Sequence, residues 1–247
     1  MKVPNLNFLR KKYNRESKEI DRKLIKLPLK GAGEDFVYLP DLAKKSKAKI
    51  VFDKDEEYSA FLRKSVAESL IKAASDFNKK GFTLKVESAY RSLESQKRRF
   101  LKRVDAMKKR YPQKPKKELL ELANVYTAGI PILAGHTAGA AVDVTLLDKI
   151  RKPLNFGVPY RYGDVESATV YPYLPKQVIQ NRRILLSGME EFGFTNYPYE
   201  YWHFSIGDVY AAYFKGEKSA KFGPVEYDFK KKTLQVPRKG EIYKFFK

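Results

Sequence analysis

Residues 140–147 read Ala-Ala-Val-Asp-Val-Thr-Leu-Leu, a run of small and branched residues suited to a strand buried on both faces, with Asp143 in its middle. This segment constrains the fold more than any other. A carboxylate between Val142 and Val144 inside a core is costly by several kcal/mol or more unless it is paired, hydrogen-bonded or bound to a metal. The core around it is built from mixed elements. Phe61, Leu62, Val66, Leu70, Ile71, Ala74 and Phe77 recur at three- and four-residue spacing, which predicts a helix over residues 58–79 that stops at Gly81. Residues 82–88 alternate apolar and polar and predict a strand delivering Ser88-Ala89-Tyr90-Arg91 at its end. Further helices are expected over 92–110, 116–125 and 177–192, a strand over 140–147, an aromatic strand over 199–206, and paired strands over 225–229 and 233–236. Strands and helices intermixed without regular alternation indicate an α+β fold rather than a doubly wound sheet.

The chain has 247 residues, of which 43% are hydrophobic and 14% aromatic, so it folds as a globular protein and is not mostly disordered. The expected organisation is a basic arm over residues 1–45, one compact domain over 46–225, and a basic tail over 226–247. Fifty Lys and Arg against 29 Asp and Glu give a net charge of +21, which favours anionic partners such as nucleic acid, a membrane surface or a wall polymer. Between Lys97 and Lys117 there are eleven basic residues and one acid, Asp105; such a run fits a solvated helix face or a binding patch for a polyanion. Residues 1–12 lack the apolar core of a secretory leader and no run approaches a membrane span, so a cytoplasmic protein is expected; a leader trimmed from the N-terminus would make it periplasmic or extracellular.

With no cysteine, disulfides, thiolate nucleophiles and Cys-bound metals are excluded. A transition-metal site has to come from His, Asp and Glu, and the chain has two histidines, His136 and His203. His136 precedes a small-residue turn that leads to Asp143. His203 lies in Glu200-Tyr201-Trp202-His203-Phe204, three residues after a carboxylate. Taken singly, these patterns also fit a satisfied core histidine, a structural aspartate and a packed aromatic strand. On an ideal strand Glu200 and His203 face opposite sides, so a bulge or strand end is needed for both to serve one site. Taken together, His136, Asp143 and His203 supply three N or O ligands, the number that leaves catalytic zinc an open position. Glu200 would then stay uncoordinated as a base for water. Arg91 is a candidate to stabilise an oxyanion, though taken alone it reads as an ordinary surface arginine among fifty basic residues, and Ser92 is a candidate cap for the following helix.

Ser88-Ala89-Tyr90-Arg91-Ser92, then His136 to Asp143 with Val144-Thr145-Leu146 directly after, then Asn181-Arg182-Arg183 through Gly193-Phe194-Thr195-Asn196-Tyr197-Pro198 into Glu200-Tyr201-Trp202-His203 resemble, in this order, the zinc D-Ala-D-Ala peptidases. The resemblance is closest to the D-alanyl-D-alanine dipeptidase branch associated with vancomycin resistance and covers about residues 55–225. It implies one zinc held by His136, Asp143 and His203, Glu200 as general base and acid, and Arg91 at the scissile carbonyl. It also implies a small antiparallel sheet carrying the site, flanked by helices, and a D-Ala-D-Ala dipeptide or D-Ala-terminated peptide as substrate. The sequence departs from the family pattern at Ala134, where many relatives have Ser, and at Asn155, where dipeptidases often have Asp. An amide at Asn155 would weaken recognition of a substrate ammonium if that position meets it. The rival readings are a D,D-carboxypeptidase or endopeptidase trimming peptidoglycan stems, and a non-catalytic basic binding protein on the same fold, holding anionic wall polymer or nucleic acid. Neither a membrane span nor a specific nucleic-acid partner is expected.

Overall fold

The computed structural model describes residues 6–31, 33–53 and 60–246. In chain order the first half runs α1 (Leu6–Leu24), β1 (Phe36–Tyr38), α2 (Leu39–Ser46), β2 (Ile50–Phe52), β3 (Phe61–Arg63), α3 (Lys64–Lys79), β4 (Thr83–Ser88), α4 (Leu93–Arg110) and α5 (Lys116–Asn124). The second half runs β5 (Ala141–Leu147), α6 (Lys176–Glu190), β6 (Thr195–Asn196), β7 (His203–Ser205), α7 (Val209–Phe214), β8 (Glu226–Asp228), β9 (Thr233–Gln235) and α8 (Lys239–Ile242). The α+β expectation holds.

A five-stranded sheet of order β2-β4-β5-β7-β6 forms the centre, and β5 lies in its middle with every residue buried. Pairing is antiparallel except at one edge, where β2 runs parallel to β4, so the sheet is mixed rather than purely antiparallel. Strand alternation divides β5 into two faces. Val142, Val144 and Leu146 join the main apolar core with Val66, Leu70 and Phe77 of α3 and Leu185 and Met189 of α6. Each such large side chain contributes about 1.5–3 kcal/mol by leaving water. The two helices approach closely because Gly188 of α6 has no side chain; a Cβ there would meet the Phe77 ring at 2.3 Å. Asp143 and Thr145 point to the opposite face, where Thr145 donates to Glu87 Oε1 at 2.7 Å.

Two expectations change at element ends. The helical spacing from Phe61 begins as a strand, β3, paired with β1, and the helix starts only at Lys64; Tyr58 lies outside the described residues. The aromatic stretch 199–206 is a strand only from His203 to Ser205. The expected arm is structured: α1 packs against the domain through an Arg10–Asp164 ion pair, a Tyr13–Tyr199 ring contact and a Lys18–Glu121 ion pair. The tail forms the expected hairpin, β8 with β9, whose Tyr227 and Phe229 pack on Phe36, Phe61 and Tyr90.

Candidate metal centre and catalytic cavity

His136 lies in a short 3-10 turn, Gly135–Ala138, that closes with Gly139 at φ 64°. Any side chain at Gly139 would be strained there, and its Cβ would meet the Phe36 ring at 2.4 Å. The turn ends where β5 begins, which brings the His136 imidazole back over Asp143 two residues into the strand. His203 opens β7 and pairs directly with Asp143 across the β5–β7 ladder, while Ser88 pairs with Asp143 from β4 at a register shift. The centre is therefore fixed by sheet register.

His136 Nδ1 is 2.6 Å from the carbonyl oxygen of Ala89. A carbonyl only accepts, so the ring proton sits on Nδ1 and Nε2 carries a lone pair. That lone pair faces Asp143 Oδ1 at 3.2 Å, and His203 Nδ1 faces the same oxygen at 2.8 Å. Two acceptors opposed inside a buried site are satisfied by a cation between them. Ligand atoms of His136, Asp143 and His203 all lie within 4.8 Å of one another, so the three expected residues form a cluster able to hold a metal ion.

The charges respond to burial and to one another. Burial pushes the His136 imidazole down to about 4, with Arg91 acting in the same direction. Burial raises the Asp143 carboxyl, but His136 and His203 outweigh it and hold the group well below the usual carboxylate range. For His203 burial acts downward, and the hydrogen bond with Asp143 prevails and raises it.

The second oxygen of Asp143 accepts from Tyr160 Oη at 2.8 Å and from Arg91 Nη2 at 3.2 Å. Arg91 is held in place by Ser88 Oγ, at 3.2 Å from Nε and 3.1 Å from Nη2, and by Gln96 Oε1 at 3.3 Å from Nη1. Ser92 caps α4 as expected, its Oγ accepting from Ser95 N at 3.1 Å.

Glu200 lies in the turn before β7, not in the strand, and so reaches the face that His203 occupies. Asn196 stabilises this turn by donating to the carbonyls of Glu200 at 3.0 Å and His203 at 2.9 Å. Burial lifts the Glu200 carboxyl to about 7, with His203 opposing. Arg91, His136, Asp143, Glu200 and His203 line one cavity of about 660 Å³. All five residues singled out from sequence meet there.

Three placements were not foreseen. Tyr160, from the loop before α6, contacts Asp143; its loop carries no pattern that marks it. Asp21 of α1 lines the cavity, which puts a carboxylate of the expected arm beside the site. Asn155 is exposed, does not line this cavity, and uses its Oδ1 to accept from Gly157 N at 2.8 Å. Its amide thus stabilises a turn, whereas Ala134, the other departure, does line the cavity.

The family model described as D-ala-D-ala dipeptidase matches residues 45–218, well over half of the chain. The chain belongs to the M15 peptidase family. Among curated members, a D-alanyl-D-alanine dipeptidase of Synechocystis sp. is 38% identical over 84 residues, 30% of this chain and 34% of that protein. The D-alanyl-D-alanine dipeptidase of Escherichia coli K12 is 28% identical over 81 residues, 33% of this chain and 42% of that protein. The chain thus spans about a third of the one relative's length and two fifths of the other's. Similar solved structures include a vancomycin-resistance D,D-pentapeptidase, a VanY variant in complex with Zn(II), with 16% identity, TM-score 0.41, and coverage of 65% of this chain and 81% of that one. The LD-carboxypeptidase LdcB is similar with 18% identity, TM-score 0.43, and coverage of 76% and 79%. Among the described residues, no helix is long and apolar enough to cross a membrane.

Proposed function

We propose that the chain is a zinc D-alanyl-D-alanine dipeptidase, with His136, Asp143 and His203 as the zinc ligands and residues 46–225 as the peptidase domain on which the N- and C-terminal segments pack. The observation that carries this reading is the convergence of the three ligand groups on one point of a cavity that Glu200 and Arg91 also line. Two imidazoles and a carboxylate, with one imidazole tautomer fixed by a backbone carbonyl, fit zinc with an open position.

Bound there, zinc would supply a Lewis acid that acidifies water and polarises a carbonyl. Glu200 takes the proton of the attacking water, and its carboxyl at about 7 is matched to that task near neutral pH. The same carboxyl then passes the proton to the leaving amine as the peptide C–N bond breaks, which returns Glu200 to its starting state. Arg91 has five N–H donors, and its four described contacts with Ser88, Gln96 and Asp143 leave one on Nη1 for the carbonyl oxygen as charge develops. Its anchoring by Ser88 and Gln96 sets the direction of that donor before substrate arrives. Free D-Ala-D-Ala as substrate implies a cytoplasmic site of action, which cell fractionation tests.

The decisive experiment is metal analysis of the purified protein together with hydrolysis of D-Ala-D-Ala and of a pentapeptide ending in D-Ala-D-Ala. One zinc per chain and faster cleavage of the dipeptide are expected. Preference for the pentapeptide would turn the reading to a D,D-carboxypeptidase. Glu200→Gln should keep the zinc and lose turnover; loss of the metal would make Glu200 a ligand instead.

A further inference from the structure

The cavity has a second wall that the proposed dipeptide chemistry does not use. Arg98, Arg99, Lys102 and Arg103 of α4 all line it, and their three- and four-residue spacing places them on one stripe of the helix. The adjoining stripe, with Phe100 and Met107, is buried and anchors the helix. Neither Glu94 nor Asp105, the acids of α4, lines the cavity, so the stripe that faces the metal cluster is the one without negative charge. Arg161 adds a further cation from the loop that carries Tyr160, and the Arg103 guanidinium lies over the Tyr126 ring at 5.6 Å. A concave wall of one sign concentrates its field on whatever enters.

The length of this stripe bears on what it binds. Gln96 touches Arg91, which touches Asp143, so α4 starts beside the cluster. From Gln96 to Arg103 the helix rises about 10 Å at 1.5 Å per residue. An extended peptide covers about 3.3–3.6 Å per residue, so the cationic stripe reaches two to three residues beyond a scissile bond held at the cluster. A dipeptide, with one residue on that side, reaches only its start.

We infer that the α4 wall is a subsite for clustered anionic groups, two or more charges about 6 Å apart, carried on the amino side of a peptide ending in D-Ala-D-Ala. The direction of the peptide rests on the proposed peptidase reading; the anion site itself does not. Carboxylates of acidic residues and a diphosphate group share this chemistry, and guanidinium groups bind both in bidentate fashion.

The test uses the full chain carrying Glu200→Gln, loaded with zinc, and two fluorescent pentapeptides ending in D-Ala-D-Ala, one with Glu at the two residues before that dipeptide and one with Gln there. Anisotropy should show the acidic peptide binding at least tenfold tighter at low salt, with the preference collapsing at about 0.5 M salt as screening sets in. Charge reversal of the exposed Arg98 and Lys102 to Glu should abolish the preference. The salt series on the unreversed protein gives the same answer if that variant fails to fold. Competition by inorganic diphosphate at concentrations where chloride has no effect assigns the subsite to phosphate-bearing substrates, and its failure to compete beside a strong acidic preference assigns it to carboxylates. Equal binding of the two peptides at all salt concentrations, with no diphosphate binding, overturns the inference. Hydrolysis of D-Ala-D-Ala by the unmodified chain is scored separately, so diphosphate binding without any hydrolysis would sink the peptidase reading and leave the anion site standing.

Discussion

Asp21 offers a quantitative test of whether α1 is an integral part of the fold. Its carboxylate is 8% exposed, and its oxygens accept from Tyr210 Oη at 2.9 Å and Asn124 Nδ2 at 3.0 Å. Burial lifts it from 3.8 to about 6, with the two hydrogen bonds pulling back. The folded chain therefore holds a proton at Asp21 between about pH 4 and pH 6 that the unfolded chain has released. The stability this proton confers is fully present below 3.8 and is lost as pH rises through about 6. At about 1.36 kcal/mol per pKa unit the loss is about 3 kcal/mol.

Asp21→Asn removes that titration. The amide oxygen can still accept from Tyr210, but its NH2 faces the Asn124 NH2, which cannot turn because Asn124 Oδ1 accepts from Gly129 N at 2.8 Å. Donor opposing donor costs about 1–2 kcal/mol at every pH. The variant should thus be less stable than the parent by about 1–2 kcal/mol at pH 4 and more stable by a similar amount at pH 8. Urea unfolding followed by the fluorescence of Trp202, the single tryptophan, measures this across the range. The two stability curves are expected to cross between pH 4 and pH 7. Curves that stay parallel would refute the reasoning, since they would mean that Asp21 is solvated and that α1 does not unfold with the domain.

The other expectations concern the centre. Tyr160→Phe deletes the donor to Asp143 Oδ2 and should weaken zinc about 10- to 100-fold in a chelator competition; unchanged affinity would reduce Tyr160 to packing. Arg91→Ala should lower kcat by about 10²–10³ with little change in KM, and a change confined to KM would remove its role at the oxyanion. Gly135→Ala would put a Cβ 2.2 Å from Asp208 Oδ2 and 2.9 Å from Ala141 Cβ. Overpacking there should cost about 1–3 kcal/mol and shift His136, so chemical denaturation and zinc binding should both weaken, and a variant as stable as the parent would show that the turn yields freely.

The elements whose signals are local were legible in the sequence. Phe77 and its neighbours at helical spacing, the alternation into Ser88, the cap at Ser92 and the branched run around Asp143 each follow from residues within a few positions of one another. The need for a strand end between Glu200 and His203 followed from strand period alone, and the turn stabilised by Asn196 supplies it. What was missed depends on distant partners. Nothing near Phe61 announces β1, the strand that turns the expected first helical turn into β3. Nor does anything near Ile50 reveal a parallel neighbour. Lys97 to Lys117 read as a charge run because composition does not say which stripe of a helix faces a cavity.

The centre itself shows why two histidines and an aspartate could be named in advance while their second layer could not. Asp143 has His203 opposite it on β7 and Ser88 on β4, and Ser88 in turn holds Arg91. Side chains alternate along a strand, so a slip of one residue in either ladder would turn Asp143 into the apolar core and bring Val142 or Val144 to the metal side. The register is pinned by Val142, Val144 and Leu146, which have to meet α3 and α6. The apolar residues that specify packing thereby specify the metal site, and their pattern is readable. Tyr160 and Asp21 reach the site from a loop and from α1, where no periodic constraint operates, and only the folded chain brings them there.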